Sequence, residues 1–184
     1  MLRTPKAILF HGINDEFSNL YRCSFVHETI EFGCVEQAYM LAKAAAFKDE
    51  EIITRLISER DPFECKKLGQ MVSNFDAKVW GDKKVPIMYV LNLAKYQQNP
   101  HLKELLLGTG SLEIAEASPS DLEWGIGLAA EFPGADEPRH WHGKNLMGRV
   151  LKSVRSKFRG EDVDPIVLFK EPSFQKLAQD AGLF

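Results

Sequence analysis

At 184 residues, 45% of them hydrophobic and 27% charged, the chain can bury a real core as one domain, with or without a tail. A formal net charge of −3 argues against a protein that lives on a nucleic-acid backbone, which usually carries a basic excess, but leaves room for an enzyme that recognises one modified nucleotide. There is no apolar run of the ~18 residues a membrane span needs, and the N-terminus lacks the apolar stretch and small-residue cleavage site of a secretory leader.

Taken in order, Ala7 to His11 reads as a short strand, closed by Gly12 and the polar turn Asn14-Asp15-Glu16. Phe25 to Phe32 places apolar and β-branched residues around His27-Glu28, the pattern of a two-stranded hairpin. Gly33 punctuates the chain, and a helix starts near Cys34 and runs through the strong helix formers from Val35 to Phe47. Asp49 to Glu59 predicts a second helix with Ile52, Ile53, Leu56 and Ile57 as its apolar stripe. Asp61-Pro62-Phe63-Glu64 carries a start signal: an acidic N-cap, proline at the first helical position and Glu three after the cap.

Residues 78–97 predict a longer helix, with Pro86 near its start or at a kink. Asn99-Pro100 opens another that ends at Gly108, and Ser111 to Ala117 reads as a strand. Residues 118–143 form the longest irregular stretch, of the kind often used for function. Lys144 to Lys157 returns to helical spacing through Leu146, Met147, Val150, Leu151 and Val154. The expected fold is α/β (α+β), a helix-rich single domain over residues 1–159 around a small, mainly antiparallel sheet. Residues 160–184 read as a tail, linker-like from Gly160 to Pro165, with a short docking helix from Phe174 to Ala178.

Cys23, Cys34 and Cys65 are odd in number and lack CxxC spacing. That argues against a disulfide framework or structural zinc, and fits buried or half-buried thiols in a reducing cytoplasm. His140-Trp141-His142 has no third ligand or HExxH partner in the sequence, so no metal is expected. No phosphate-binding Gly-rich fingerprint occurs, and no cofactor is expected.

Three constellations can carry chemistry. Glu36 and Lys43 are seven residues apart, about 700° of helix, so both leave one face, with Tyr39 and Met40 between them. That helix is otherwise apolar and should be largely buried, and a buried carboxylate and ammonium need partners or a cleft. A carboxylate near an amine supplies a proton shuttle next to a potential nucleophile. The second is Asp121-Leu122-Glu123-Trp124-Gly125-Ile126-Gly127, where glycines allow a close backbone approach to a ligand and the indole offers a flat face. The third is Gly143-Lys144-Asn145, where exposed amides at a helix start would suit phosphate.

In order along the chain, the motifs resemble those of the NADAR family, the YbiA-like proteins. They are Phe17-Ser18-Asn19, Glu36 with Lys43, Trp80 with Met88, Lys95-Tyr96, and Leu106-Leu107-Gly108-Thr109. Glu116-Ala117-Ser118, Asp121, Trp124-Gly125-Ile126-Gly127, Gly143 to Gly148 and Arg155 complete the set, so the resemblance spans about residues 8–158. It implies hydrolysis of N-glycosidic bonds to ribose. One branch of the family acts on phosphoribosylamino-pyrimidine intermediates of riboflavin synthesis, and another removes ADP-ribose from the exocyclic amine of guanine in nucleic acid.

The resemblance implies a catalytic Glu36 and a Lys43 that forms a transient Schiff base. It implies substrate contacts at Asn19, Arg22, Trp80, Trp124, Gly125, Gly127, Lys144 and Asn145. The riboflavin branch reads WGDG where this chain has Ile126, and an apolar side chain cannot replace a carboxylate. Asp121, three before the tryptophan, is the catalytic candidate that could serve instead. The resemblance therefore points to ADP-ribosylated nucleic acid or nucleotide as substrate, with the surface near the base less polar at Ile126. Lys43 must lose its proton to attack. Desolvation lowers a lysine pKa and a nearby carboxylate raises it, so moderate burial is expected. Direct attack of water on an oxocarbenium-like C1, with Glu36 as base, is the alternative.

Overall fold

Four successive apolar residues form strand β2 (Ala7–Phe10), and all four are buried, as in a strand covered on both faces. β2 pairs antiparallel with β1 (Leu2–Arg3) and parallel with β5 (Glu113–Glu116), giving the order β1-β2-β5. The second sheet is the expected hairpin, β3 (Phe25–His27) with β4 (Ile30–Phe32). Glu28 and Thr29 both take positive φ at its turn, as a two-residue hairpin of primed type requires. Among the described residues, six α-helices complete the helix-rich α+β architecture. The computed structural model describes residues 1–164 and 166, so the docking helix expected at 174–178 lies outside the described residues.

The chain folds as two compact units, residues 22–99 and residues 1–21 with 100–164. In the first, α1 (Val35–Ala46) packs against α2 (Glu50–Ser58), α3 (Pro62–Gln70) and α4 (Ala77–Gln98). Its central place explains a helix so rich in Ala and Leu: most of its residues are buried. Pro86 lies well inside α4 rather than near its start. The Asp61 carboxylate caps α3 by accepting the Phe63 and Glu64 amides. The return bond of a capping box is absent in the expected form. Glu59, not Glu64, accepts the Asp61 amide (2.8 Å), and Glu64 pairs with Lys67 instead.

In the second unit, α6 (Leu146–Arg159) packs its stripe of Leu146, Met147, Val150, Leu151 and Val154 onto β5. Ala7, Leu9, Ala115, Ala117, Ile126, Leu128 and Ala135 form the core on the sheet. Arg155 ties α6 to the end of α5 (Pro100–Leu107), donating to the Thr109 hydroxyl at 2.7 Å and the Leu112 carbonyl at 2.9 Å. All three cysteines are free thiols, with Cys34 and Cys65 buried. No helix among the described residues is long and apolar enough to cross a membrane.

The buried amide of Gln37 fastens the first unit. Its Oε1 accepts the Gly33 amide at 2.9 Å, while Nε2 donates to the carbonyls of Leu56 (2.9 Å) and Glu59 (2.8 Å) at the end of α2. Gln37→Leu keeps much of the volume but strands these groups, and each buried orphan costs about 1–3 kcal/mol. Urea unfolding should show a loss of at least about 2 kcal/mol; an unchanged midpoint would mean that solvent replaces the amide.

Candidate functional site

The residues singled out in the sequence fall in two sets, one in each unit. In the 22–99 unit, one face of α1 presents Glu36, Tyr39, Lys43 and then Phe47, its C-cap, at helical spacing. Glu36 is buried in the first turn, the favourable end of the helix dipole for a carboxylate. The Tyr39 ring packs on Trp80 of α4, with centroids 5.2 Å apart at 49°. Trp80 is buried, so it acts here as a packing partner of the site helix.

Lys43 is half-buried, as expected. Its Nζ donates to the Gly69 carbonyl near the end of α3 at 2.7 Å and lies 4.3 Å from the centroid of the Phe75 ring. Burial pushes its amine below the usual lysine range. The seat depends on close packing: a Cβ on Gly69 would fall 1.9 Å from Met40 Sδ, so only glycine lets α3 approach α1 here. Phe75 is in turn held edge-on by Phe47, with centroids 5.3 Å apart. Gly69 and Phe75 escaped the sequence reading. An isolated glycine inside a helical pattern was the available signal for the first. Phe75 carried none.

Arg22 is exposed. It donates to the Arg60 carbonyl at 3.0 Å and pairs with Asp61 at 2.9 Å. The thiols are poor nucleophiles: burial pushes Cys34 up to about 11 and Cys65 up to about 12.

In the other unit, every carbonyl from Leu122 to Ile126 accepts an amide of residues 142–147. Ile126 takes His142 and Gly143 (both 2.9 Å), Leu122 takes Lys144 (2.9 Å), Gly125 takes Asn145 (3.0 Å), Glu123 takes Leu146 (3.1 Å) and Trp124 takes Met147 (3.1 Å). This overturns the expectation of exposed amides at the start of α6. They are consumed by the neighbouring loop, and the next amide, Gly148, goes to Asn145 Oδ1 at 3.3 Å. Lys144 is exposed, 3.9 Å from Glu123.

Asn145 is a clamp. It takes left-handed φ (49°), is buried, donates Nδ2 to the Ile114 carbonyl at 2.9 Å and accepts the Glu116 amide at 3.2 Å, joining β5 to α6. Gly125 and Gly127 serve the protein's own packing rather than a free approach to ligand. A Cβ at Gly125 would meet the Asp121 carbonyl at 2.9 Å, and Gly127 takes φ +72° with a Cβ position 2.7 Å from Leu122 Cδ2. Asp121 Oδ1 accepts the amides of Glu123 (2.9 Å) and Trp124 (2.7 Å), forming the turn that presents the half-buried Trp124. Asn19 donates to Met147 Sδ at 3.1 Å. Ile126 is fully buried in the core on the sheet. The expectation that it lowers the polarity of a surface near the base is therefore corrected, because its side chain points into the core.

Residues 9–159 match the family described as NADAR domain. The chain is 35% identical over 167 residues to N-glycosidase R617 of Acanthamoeba polyphaga mimivirus, covering 85% of this chain and 98% of that one. It is 28% identical over 174 residues to Riboflavin biosynthesis protein VVA0006 of Vibrio vulnificus, covering 95% of this chain and 42% of that one. The NMR structure of the Escherichia coli protein YbiA shares the fold, with TM-score 0.69 and 24% identity over 86% of this chain and 88% of that one.

Because the clamp is buried, Asn145→Ala should act on stability first. It strands up to three buried partners at about 1–3 kcal/mol each and puts alanine at positive φ. Thermal melting should fall by several degrees. A variant of unchanged melting temperature that binds ligand poorly would make Asn145 a ligand contact instead.

Proposed function

This chain belongs to the NADAR family, and on that premise we propose that it is an N-glycosidase that releases ADP-ribose from an exocyclic amine of guanine. The observation that carries this reading is the face of α1, where a buried carboxylate and a half-buried lysine of lowered basicity share a helix whose other residues, Gln37 apart, are apolar or aromatic. The likeness to N-glycosidase R617 over nearly its whole length supports the bond type.

About 10 Å of helix rise separates the backbones of Glu36 and Lys43, and the ribosyl C1 is proposed to lie between the two side chains. In the proposed sequence the ribose ring of the substrate opens, O4′ taking a proton as C1 becomes an imine to the arylamine. The neutral Lys43 amine adds to C1. Glu36 relays the two protons that the Lys43 nitrogen sheds to the arylamine nitrogen, the C1–arylamine bond breaks, and C1 stays bound as an imine to Lys43. Water then adds to C1, the C1–Nζ bond breaks, and the sugar departs with the lysine regenerated.

On the resemblance of their motifs, Asn19, Arg22, Trp80, Trp124, Gly125, Gly127, Lys144 and Asn145 are proposed as substrate contacts. The hydrogen bonds of Asp121, Gly125 and Asn145 favour a share in positioning Trp124 over contact alone. The preference for the ADP-ribosyl substrate rests on Ile126, a core residue that offers no carboxylate where the riboflavin branch has one. The relative named for riboflavin biosynthesis keeps the phosphoribosylamino-pyrimidine as the second substrate to assay. A module that binds ADP-ribose without turnover has no need of Lys43.

Lys43→Ala should abolish turnover and leave ligand binding within about tenfold. Lys43→Arg should be equally inactive, because a guanidinium stays protonated and forms no imine. Glu36→Gln should slow turnover by roughly 10²- to 10⁴-fold. Borohydride during turnover should leave a sugar adduct on Lys43 detectable by peptide mass spectrometry. An active Lys43→Arg, with no adduct in the parent protein, would assign the reaction to direct water attack.

The pH profile gives a separate check. The attacking amine is neutral, and burial lowers its pKa, so kcat should rise with pH to a plateau whose inflection lies below the ordinary lysine range. A side-by-side assay with the pyrimidine intermediate should give the higher kcat/KM to the ADP-ribosyl guanine; the reverse order would move the chain to the riboflavin branch.

A further inference from the structure

Where the chain enters β3, leaves β4 and passes from α2 to α3, it borders an open cleft of about 290 Å³ lined by the exposed Arg22 and Arg60 together with Cys23, Ser24 and Gly33. Two of its five lining residues are arginines, and the main chain holds both. Arg60 donates through Nη1 to the carbonyls of Ile57 (2.7 Å) and Glu59 (3.0 Å). Arg22 donates through Nη1 to the Arg60 carbonyl (3.0 Å) and through Nη2 to the Asp61 carboxylate (2.9 Å).

The two guanidiniums are not equivalent. Arg22 is balanced by Asp61, the cap of α3. Arg60 meets carbonyl oxygens and makes no ion pair among the described residues. The adjacent carboxylate, Glu59, spends Oε1 on the amides of Arg60 and Asp61. Arg60 thus keeps Nε and Nη2 as donors without a protein acceptor among the described residues. A guanidinium whose orientation is already set loses little freedom when it takes a planar pair of oxygens.

Gly33 immediately precedes Cys34, the N-cap of α1, so the start of a 12-residue helix borders the cleft, with the Gly33 and Gln37 amides taken by Gln37 Oε1 and Cys34 Sγ. Arg60 Cδ lies 3.6 Å from the position a Cβ on Gly33 would take, so the arginine stem covers that glycine. Ser24 brings a hydroxyl to the lining. The volume is at the lower edge of the ~300–1,000 Å³ typical of whole small-molecule sites, the size for a sugar phosphate rather than a complete dinucleotide.

We propose that this cleft binds a phosphoryl group through Arg60, with Arg22 as its second cation, and that the group is the phosphate on the ribose side of the substrate. The assignment of the ligand rests on the N-glycosidase reading, since both substrates considered there carry phosphate on the ribose: a diphosphate in ADP-ribose and a monophosphate in the phosphoribosyl compound. Arg60 is a binding residue in this scheme and takes no part in bond breaking.

The test is calorimetric titration of ADP-ribose, ribose 5-phosphate, inorganic phosphate and plain ribose into the parent protein and Arg60→Gln, with a thermal melt of each. The three phosphorylated ligands should lose at least about tenfold in affinity with Arg60→Gln, the loss of a charge-assisted contact, while ribose is unaffected. Because Arg60→Gln also removes bonds to the end of α2, Arg60→Lys is measured beside it. It keeps the charge but not the planar fork, and should fall between the two. Equal affinity for every phosphorylated ligand in parent and variants, or no binding of any of them to the parent, overturns the site. Turnover is read separately. Hydrolysis with KM unmoved by Arg60→Gln removes the cleft and leaves the N-glycosidase. Phosphate binding through Arg60, with neither amine substrate hydrolysed, keeps the cleft and removes its assignment to that substrate.

Discussion

Six backbone hydrogen bonds between residues 122–126 and 142–147 organise the unit that carries Trp124. They pair an irregular segment with the loop and first residues of α6, with no strand formed, and they need the chains nearly in contact. A Cβ on Gly143 would lie 2.2 Å from the Gly125 carbonyl, and one on Gly148 would lie 2.0 Å from that of Ile114. The same bonds satisfy the orphan amides at the start of α6, which removes them as an anion site. A feature that resembles a phosphate cradle in sequence is here a structural joint. Asn145 completes it because one side chain at left-handed φ reaches β5 and α6 at once.

In residues 22–99 the corresponding constraint is the burial of α1 among three other helices. An almost fully buried helix can hold polar side chains only where each finds a partner or an opening. Gln37 finds carbonyls at the end of α2, and Lys43 finds one near the end of α3. Both interactions satisfy helix C-terminal carbonyls, so the polar groups of α1 also terminate its neighbours. Lys43 gains a defined position and a less basic amine from the same burial, the combination that a nucleophilic amine requires.

The adjacent pair Glu36 and Gln37 shows how far local reading reaches. Both are polar, both are buried and both lie in the first turn of one helix. Helical spacing alone put Glu36 on a face with Lys43, and spacing said nothing of Gln37, whose carbonyl partners lie some twenty residues away at the end of α2. Ile126 is the opposite case. Its place in a motif between two glycines suggested a surface residue, and the core on the sheet claims it. Alternation in an irregular loop carries no rule for which side chain turns inward, so only packing decides.

By itself the sequence determined the elements whose signals are local. These are the hairpin of β3 and β4, the proline start of α3, the apolar stripe of α6 and the shared face of Glu36 and Lys43, because each depends on spacing within a few turns of chain. The tertiary structure decided what depends on residues distant in the chain. It placed β5 parallel to β2, seated Lys43 on Gly69 and Phe75, and brought Arg60 beside Arg22. It also turned the carbonyls around Trp124 toward the start of α6. The physical reason is that a backbone carbonyl or a ring face is chemically the same at every position. Which amine or amide it meets is set by close packing, and in this chain that packing turns on where glycine leaves room.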